Sequence, residues 1–234
     1  MSASLPGLTN LKIVAILPVY NEEVVLREVV YLLVNQVSAV IVVDDGSSEP
    51  VINHISDLPV IVLRHQVNLG QGAALQTGFT YARTLHPHIV ITFDGDGQHD
   101  ADDLAVLIAP IVQGKSDIVL GSRFLPDSAT QLPFIKKMIL QLARFINFLL
   151  SGILLSDAHN GLRALNHTAL EKITITENRM AHASEILFQI KKYQLRYTEV
   201  PVHIRYTSYS RKKGQTGWDS IKVLFDIVLH KMFK

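Results

Sequence analysis

The stretch Ala39–Ser47 reads AVIVVDDGS, in which a short apolar run ends at two aspartates, a glycine and a serine. Four other apolar runs also end at turn residues: Lys12–Leu17, Val60–Leu63, His88–Phe93 and Asp117–Leu120. Strands without polar alternation are buried on both faces, which is typical of a parallel sheet covered by helices. The run Lys12–Leu17 is expected to stop at Pro18.

Segments with helical spacing of apolar residues lie between these runs, at Glu22–Gln36, Gln71–Thr84 and Asp100–Val112. A further helix is expected near Ala181–Tyr193 and a further strand near Arg196–Val200. This alternation predicts an α/β fold with a mostly parallel, doubly wound sheet flanked by helices. In such folds ligands bind beyond the carboxyl ends of the strands.

The composition excludes several classes of protein. A chain of 234 residues with 48% hydrophobic and 18% charged residues fits one folded domain and excludes a disordered chain. The net charge of +1 creates no global field for nucleic acid, so no nucleic-acid partner is expected. The absence of cysteine excludes a disulfide scaffold, a thiolate zinc site and a thiol nucleophile. The first ten residues, MSASLPGLTN, do not have the pattern of a signal peptide.

The sharpest motif is DGDGQHD at Asp94–Asp100, directly after the fourth apolar run. Asp94 and Asp96, one residue apart on a glycine-containing turn, can face one hard cation that also bridges phosphates. Such an ion neutralises charge that develops on a departing diphosphate, and Gln98 offers another oxygen ligand. The alternative is an acidic turn in which Asp100 caps the following helix.

A second glycine motif, NLGQG at Asn68–Gly72, precedes a predicted helix. Its glycines would allow backbone N–H groups to approach a phosphate. The motif follows the third strand and has no acidic ribose partner at the expected distance, which argues against an NAD-binding enzyme. No G-x-x-x-x-G-K-[ST] stretch is present, which excludes a P-loop NTPase.

The order of the motifs LPVYNEE, VVDDGS, NLGQGAAL, FDGDGQHDADDL and GSRF resembles the family 2 glycosyltransferases with a GT-A, Rossmann-like fold. Within them it is similar to the dolichyl- or polyprenyl-phosphate sugar synthases, of the dolichol-phosphate mannosyltransferase type. The motifs cover about residues 12–125. The resemblance implies an inverting transfer from a nucleotide sugar to a polyprenyl phosphate lipid, with Mg²⁺ or Mn²⁺ as cofactor.

The resemblance also implies roles for individual residues. The residues expected to bind the nucleotide sugar are Pro18, Tyr20, Glu22, Asp44, Gly70, Asp94, Gly95 and Asp96. The expected metal ligands are Asp94, Asp96 and Gln98, and the expected catalytic residues are Asp96, Asp157 and Arg123.

The nature of the acceptor decides which charged groups are needed. A lipid phosphate is already an anion at neutral pH, so it needs cations to hold it and no strong base. The candidate cations are Arg123, Lys137, Arg144 and Arg163. A saccharide hydroxyl would instead need a carboxylate base, for which Asp157 and Glu185 are the options. Family members often carry D-x-T-S-G-F-R where this chain reads DAHNGLR at residues 157–163.

Two amphipathic segments suggest contact with a membrane surface. Pro133–Leu155 and Trp218–Phe233 have broad apolar faces that suit the membrane interface, or else pack on a core or in a dimer. Charged residues interrupt the first segment, so it is not expected to span a bilayer. The intervening 206–215 stretch resembles a loop that closes over the donor in this family.

These observations predict a single GT-A domain over residues 1–234. Its nucleotide-sugar and metal half covers about residues 11–125, and its acceptor and membrane-interface half about residues 126–234. Peripheral attachment at the cytoplasmic face of the cell membrane is expected, with a small membrane protein or a second copy of the chain as a partner.

The resemblance to bacterial members of the family implies UDP-glucose or UDP-N-acetylglucosamine as the donor, with GDP-mannose as the next candidate, for cell-envelope glycan modification. One alternative is a family 2 transferase with a saccharide acceptor in surface polysaccharide synthesis. Another is a non-catalytic nucleotide-sugar-binding subunit, against which the Asp94 and Asp96 pair argues.

Overall fold

The computed structural model describes residues 11–126, 152–157 and 160–205, with Met138 and Phe148 between them. The strands over these residues are β1 Ile13–Val19, β2 Ala39–Asp44, β3 Ile61–Arg64, β4 Ile89–Thr92, β5 Ile118–Ser122, β6 Arg163–Asn166 and β7 Tyr197–Pro201. The α-helices are α1 Glu23–Val34, α2 Ile52–Ile55, α3 Gln71–Thr84, α4 Leu104–Val112, α5 His167–Lys172 and α6 His182–Lys192.

The described strands form one seven-stranded sheet in the order β3-β2-β1-β4-β6-β5-β7. The pairs β1–β2, β1–β4, β2–β3 and β5–β7 are parallel, and only β6 runs antiparallel to its two neighbours. The predicted α/β fold with a mostly parallel sheet is therefore confirmed. The carboxyl ends of β1, β2, β4 and β5 meet at one edge, which is called the carboxyl edge below.

The prediction that β1 stops at Pro18 is wrong, because the strand continues to Val19. Ile16 accepts a hydrogen bond from the Phe93 N–H on the β4 side, so Pro18, two residues later, faces the same side. The β1–β4 ladder has already ended there, at the Ile16–Thr92 pair. The missing N–H of proline therefore costs no ladder hydrogen bond, and Pro18 still pairs in register with Val43 of β2.

Strand β6 was not foreseen from the sequence. Its residues, RALN, form no apolar run, yet it inserts between β4 and β5. Because β6 is antiparallel, its first residue, Arg163, lies at the carboxyl edge, opposite Thr92 of β4 and Leu120 of β5. An arginine is thus placed beside the end of the strand that leads to Asp94.

The sheet is covered on both faces. On one face, Leu26, Val30 and Leu33 of α1 pack with residues of α2 and α4 in one apolar cluster. On the other face, Phe79 of α3 packs with residues of α5 and α6 in a second cluster. Burial on both faces explains why the apolar runs in the sequence lack polar alternation.

No helix among the described residues is long and apolar enough to cross a membrane. Of the Pro133–Leu155 segment, Met138 and Phe148 are helical and exposed, while most of its other residues lie outside the described ranges. The 206–215 stretch and Trp218–Phe233 also lie outside them. The membrane-interface helices stay a prediction.

Candidate active site

The Asp94 carboxylate lies just beyond β4 and is held from two sides. The Gln71 side-chain amide donates to Asp94 Oδ1 over 2.9 Å, and His99 Nε2 lies 2.9 Å from Asp94 Oδ2. A carboxylate oxygen only accepts, so Nε2 carries the proton in this contact. The Asp94 side chain is still 28% exposed, which leaves it accessible from the carboxyl edge.

The charge state of Asp94 follows from opposing influences. Burial acts to raise its pKa, but the hydrogen bond from His99 and the electrostatic influence of His99, Arg163 and His182 outweigh burial. The pKa of Asp94 therefore lies below its ordinary value, and the group is an anion at neutral pH.

The turn after Asp94 carries a second carboxylate, Asp96. Gly97 has a φ of +73°, which a glycine adopts without strain, and the Gln98 N–H donates to Asp96 Oδ1 over 3.0 Å. The Gln98 carbonyl accepts from the Arg205 N–H, so the chain near residue 205 fastens this turn. Asp100 accepts from the Asp102 N–H and caps the following 3₁₀ turn, as predicted.

The donor set suits a hard divalent cation. Within the described residues, no group of three or more His, Asp or Glu side chains converges on a metal position. Two carboxylates that share an ion with phosphate oxygens and water match the way in which Mg²⁺ is held beside phosphorylated substrates. The chemistry of Asp94 and Asp96 suits such an ion, and the roles of Asp94, Asp96 and Gln98 as its ligands stay predictions.

Asp44, at the end of β2, is hydrogen-bonded within the protein. The Asp44 carboxylate is buried at the end of β2 and accepts from the Ser47 and Val51 N–H groups and from Arg64. Asn21 connects this loop to the end of β1, since its N–H donates to Ser47 Oγ. The predicted contact of Asp44 with base or ribose stays a prediction, and the carboxylate is already engaged by three donors.

The NLGQG glycines bring two parts of the chain together. The Gly70 N–H donates to Asp45 Oδ2 over 2.7 Å, and the Ala73 N–H donates to the Asn178 carbonyl. A Cβ on Gly70 or Gly72 would collide with the backbone of residues 177–178. The Gly70 amide is thus used inside the protein, and its contact with a phosphate stays a prediction.

The other predicted nucleotide-sugar residues lie near the end of β1. Tyr20 is 42% exposed at the carboxyl edge, directly after Pro18 and Val19. Glu22 lies beside the turn that follows Asp94, since a Cβ on Gly95 would be only 2.8 Å from Glu22 Oε2. The structure therefore brings Pro18, Tyr20, Glu22 and Gly95 to the edge that carries Asp94.

The predicted catalytic pair Arg123 and Asp157 forms a salt bridge beyond β5. Arg123 Nε and Nη2 donate to the two Asp157 oxygens over 2.6 and 2.7 Å, and the Arg123 N–H donates to Oδ2. The Asp157 side chain is 1% exposed and that of Arg123 is 14% exposed. Glu199 of β7 fixes the Asp157 loop by accepting from the Ser156 and Asp157 N–H groups.

Arg163, predicted to bind the acceptor phosphate, is 2% exposed because an antiparallel strand carries it into the sheet. Burial lowers its pKa to about 10, and the negative charges of Asp94 and Asp157 oppose that shift. Its role as an acceptor ligand stays a prediction. Lys137 and Arg144 lie outside the described residues.

Glu185, the other candidate base, is hydrogen-bonded within the protein. Its carboxylate accepts from the Thr176 N–H, the Thr176 hydroxyl and the Glu177 N–H, so it fastens the segment that precedes α6. Sequence reasoning gave no role to Gln71, Asp45, His99 or Glu199. The only available signal was the position of Gln71 inside the NLGQG motif.

Comparisons with known proteins identify the family of the chain. The family model described as Glycosyl transferase family 2 matches residues 14–174. The UDP-N-acetylglucosamine–dolichyl-phosphate N-acetylglucosaminyltransferase of Methanococcus voltae is 34% identical over 94% of this chain and 96% of its own length. The undecaprenyl-phosphate mannosyltransferase of Micrococcus luteus is 27% identical over 88% of this chain and 87% of its own.

Among solved structures, the glucosyl-3-phosphoglycerate synthase of Mycobacterium tuberculosis in complex with Mn²⁺, UDP and glucosyl-3-phosphoglycerate has the same fold. The TM-score is 0.67 at 15% identity, over 94% of this chain and 81% of that one. At this identity the similarity concerns the fold alone.

Proposed function

This chain belongs to glycosyl transferase family 2 and is a glycosyltransferase, and on that premise we propose that it transfers a sugar from a nucleotide sugar to a polyprenyl phosphate. The donor proposed is UDP-N-acetylglucosamine or UDP-glucose, and the product serves cell-envelope glycan modification.

The observation that carries this proposal is the similarity to the Methanococcus voltae enzyme, whose name specifies a UDP sugar and a dolichyl phosphate. That similarity covers nearly the whole of both chains at 34% identity. The Micrococcus luteus relative, whose name specifies undecaprenyl phosphate, supports the same class of acceptor but a different sugar.

The state of the candidate bases also favours a phosphate acceptor. A saccharide hydroxyl must lose its proton, which needs an accessible carboxylate. Asp157 is buried and bound by Arg123 through two side-chain hydrogen bonds, and Glu185 is bound to Thr176. A phosphate monoester is already ionised and needs only to be positioned near the anomeric carbon.

The donor end of the reaction is assigned to Asp94 and Asp96. A divalent ion bound there would neutralise charge on the departing diphosphate. The two carboxylates hold that ion, with Gln98 proposed as an additional ligand. Glu22 and Tyr20, at the same edge, are proposed to line the nucleoside pocket.

The acceptor end is assigned to the surroundings of Arg123. A guanidinium binds phosphate through parallel N–H donors, and Asp157 sets the orientation of this one. Lys137 and Arg144 are proposed as further cations for the same phosphate. Since a polyprenyl phosphate resides in a membrane and nucleotide sugars are cytoplasmic, the enzyme is proposed to act at the cytoplasmic membrane face.

The test is an assay with vesicles that contain undecaprenyl phosphate, a panel of radiolabelled nucleotide sugars, and Mg²⁺ or Mn²⁺. The expected result is a chloroform-soluble labelled product with one UDP sugar, which EDTA abolishes. A water-soluble glycan product would instead indicate the saccharide alternative. Transfer that persists in EDTA would contradict the assignment of the metal site.

A further inference from the structure

Gln71 connects the NLGQG motif to the proposed metal site. It is the first residue of α3, and its side-chain amide donates to Asp94 Oδ1 over 2.9 Å. An amide N–H orients a carboxylate without cancelling its charge, unlike a lysine or an arginine at the same place. The contact at Oδ1 therefore orients Asp94 and adds no opposite charge at that oxygen.

Asp45 fixes the approach to Gln71. Its carboxylate is 4% exposed and accepts from the Leu69 N–H over 2.9 Å and from the Gly70 N–H over 2.7 Å. His65 Nδ1 lies 2.7 Å from Asp45 Oδ1 and secures that carboxylate in turn. The two residues before Gln71 are thus tied to the end of β2.

The start of α3 is also confined from the opposite side. The Ala73 N–H donates to the Asn178 carbonyl over 3.1 Å, and there is no space for a Cβ on Gly72 against the Glu177 carbonyl. The Glu185 carboxylate in turn holds the Glu177 N–H. The position of the Gln71 backbone is therefore determined by contacts on both sides of the helix N-terminus.

A second hydrogen bond, from His99, holds the other oxygen of the Asp94 carboxylate. His99 Nε2 binds Oδ2, and the His99 ring packs edge-on against Phe93 with centroids 5.3 Å apart. Gly161 lies against the carboxylate and is held there by Thr92, whose hydroxyl donates to the Gly161 carbonyl over 2.6 Å. Donors on both oxygens and a backbone surface behind them fix the plane of the carboxylate.

We propose that Gln71 is a positioning residue that aims the Asp94 carboxylate at the divalent ion, with His99 as its counterpart on the other oxygen. The NLGQG segment, secured by Asp45, serves the metal site through this amide. The inference rests on the metal site of the proposed function, and it deepens that assignment by naming what supports the ligand.

The test measures Mn²⁺ binding to the full chain by electron paramagnetic resonance of free Mn²⁺, with UDP present. Gln71→Met keeps the length of the side chain and removes the donor. Because partners that orient metal ligands contribute about 10–100-fold to affinity, we expect Gln71→Met to weaken Mn²⁺ binding by about 10-fold. Transfer at saturating Mn²⁺ should recover to a larger extent than transfer at low Mn²⁺.

The matched control is Gln76→Met, the same change on the same helix. Gln76 accepts from the Ile175 N–H and donates to Thr80, so its loss alters α3 without touching Asp94. We expect Mn²⁺ binding within about twofold of wild type for this variant. In the Asp94→Asn background, Gln71→Met should have no further effect.

A second pair of variants covers the case in which Gln71→Met does not fold. His99→Phe keeps the ring against Phe93 and removes the donor to Asp94, and His99→Gln restores a donor. His99→Phe should weaken Mn²⁺ binding, and His99→Gln should recover part of it.

The outcomes separate the inference from the proposed function. The inference would be overturned if Gln71→Met bound Mn²⁺ with the affinity of the wild type. It would also be overturned if Gln76→Met lost as much affinity as Gln71→Met. Neither result would contradict the metal site itself. Absence of Mn²⁺ binding by the wild-type chain with UDP would overturn both. The formation of a lipid product is measured separately and tests the acceptor alone.

Discussion

Two carboxylates at the carboxyl edge, Asp94 beyond β4 and Asp157 before β6, are held in opposite ways. Asp94 is 28% exposed and contacts an amide and an imidazole. Asp157 is 1% exposed and is bound by both arms of Arg123. The Asp94 carboxylate stays partly accessible, whereas the Asp157 carboxylate is buried and paired directly with a guanidinium.

This difference teaches how the same residue type serves two purposes. An accessible carboxylate that is oriented by an amide and an imidazole suits a cation that arrives with the substrate. A buried carboxylate paired with a guanidinium fixes the orientation of that guanidinium, and breaking such a pair leaves an uncompensated charge. We therefore regard Asp94 as a ligand and Asp157 as the group that positions Arg123.

The largest expected effect comes from Asp94→Asn. The amide has no charge to bind the ion, so the departing diphosphate loses its stabilisation, and we expect transfer to fall by about 10³-fold. The measurement is the initial rate of lipid-linked product. Asp57→Asn, at an exposed pair with Arg27, is the control and should retain wild-type rates. Equal rates in wild type and Asp94→Asn would contradict the role of Asp94.

A smaller effect is expected from Asp157→Asn. Arg123 loses its charged partner but keeps its own charge, so the acceptor phosphate is held in a poorer orientation, at a cost of about 10–100-fold in kcat/KM. The loss should appear in the KM of the polyprenyl phosphate and leave the KM of the donor unchanged. If Asp157 were a general base, transfer would instead vanish and its pH profile would lose one limb.

The donor half of the site was largely predictable from the sequence. Apolar runs such as Ala39–Val43 identify buried strands, and residues such as Asp94 that follow them must lie at the carboxyl edge of a parallel sheet. The Asp94-Gly-Asp96 spacing was then enough to suggest a shared cation. Only the extension of β1 through Pro18 needed the ladder of the neighbouring strand.

Contacts that join distant segments were less predictable in both halves. Arg163 occupies a four-residue strand with no apolar run, and its burial depends on pairing with β4 and β5. Gln71 meets Asp94, which is 23 residues away along the chain, and Glu199 meets Ser156 across 43. Nothing in local spacing reports these pairs, since they arise only when the sheet order is known.

The opposite edge of the sheet provides a test that should affect stability alone. Asp117 has a pKa lowered to about 2, chiefly by the hydrogen bond from Arg196, against the effect of burial and with help from Asn166. A lowered pKa contributes stability that is present above the ordinary aspartate pKa and is lost as the pH falls from about 4 to about 2.

We expect Asp117→Asn to reduce the free energy of unfolding by about 1 kcal/mol at neutral pH, a value discounted because Arg196 is mostly exposed and water screens the pair. Thermal unfolding measures this as a decrease of about 2–4 °C, with transfer at folded temperatures unchanged. Reduced kcat without reduced stability would contradict the separation of the two edges.

The smallest expected effect concerns the link between the 3₁₀ turn Ala101–Asp103 and His203, which follows β7. The hydrogen bond and the negative charge of Asp103, opposed by burial, raise the pKa of His203. A raised pKa contributes stability that is present below about pH 6.5 and is lost as the pH rises through the folded-state value. Between pH 6 and pH 9 the wild type should lose about 1–2 °C more in melting temperature than His203→Gln. Equal slopes in the two proteins would contradict this assignment.

The central claim is that Asp94 and Asp96 share a divalent ion with the nucleotide diphosphate. Crystals grown with UDP and Mn²⁺, measured at the manganese absorption edge, test it most directly. The account predicts one anomalous peak within coordination distance of both aspartates and of the diphosphate. Ordered UDP at the carboxyl edge with no manganese peak beside Asp94, or with the ion bound elsewhere, would contradict it.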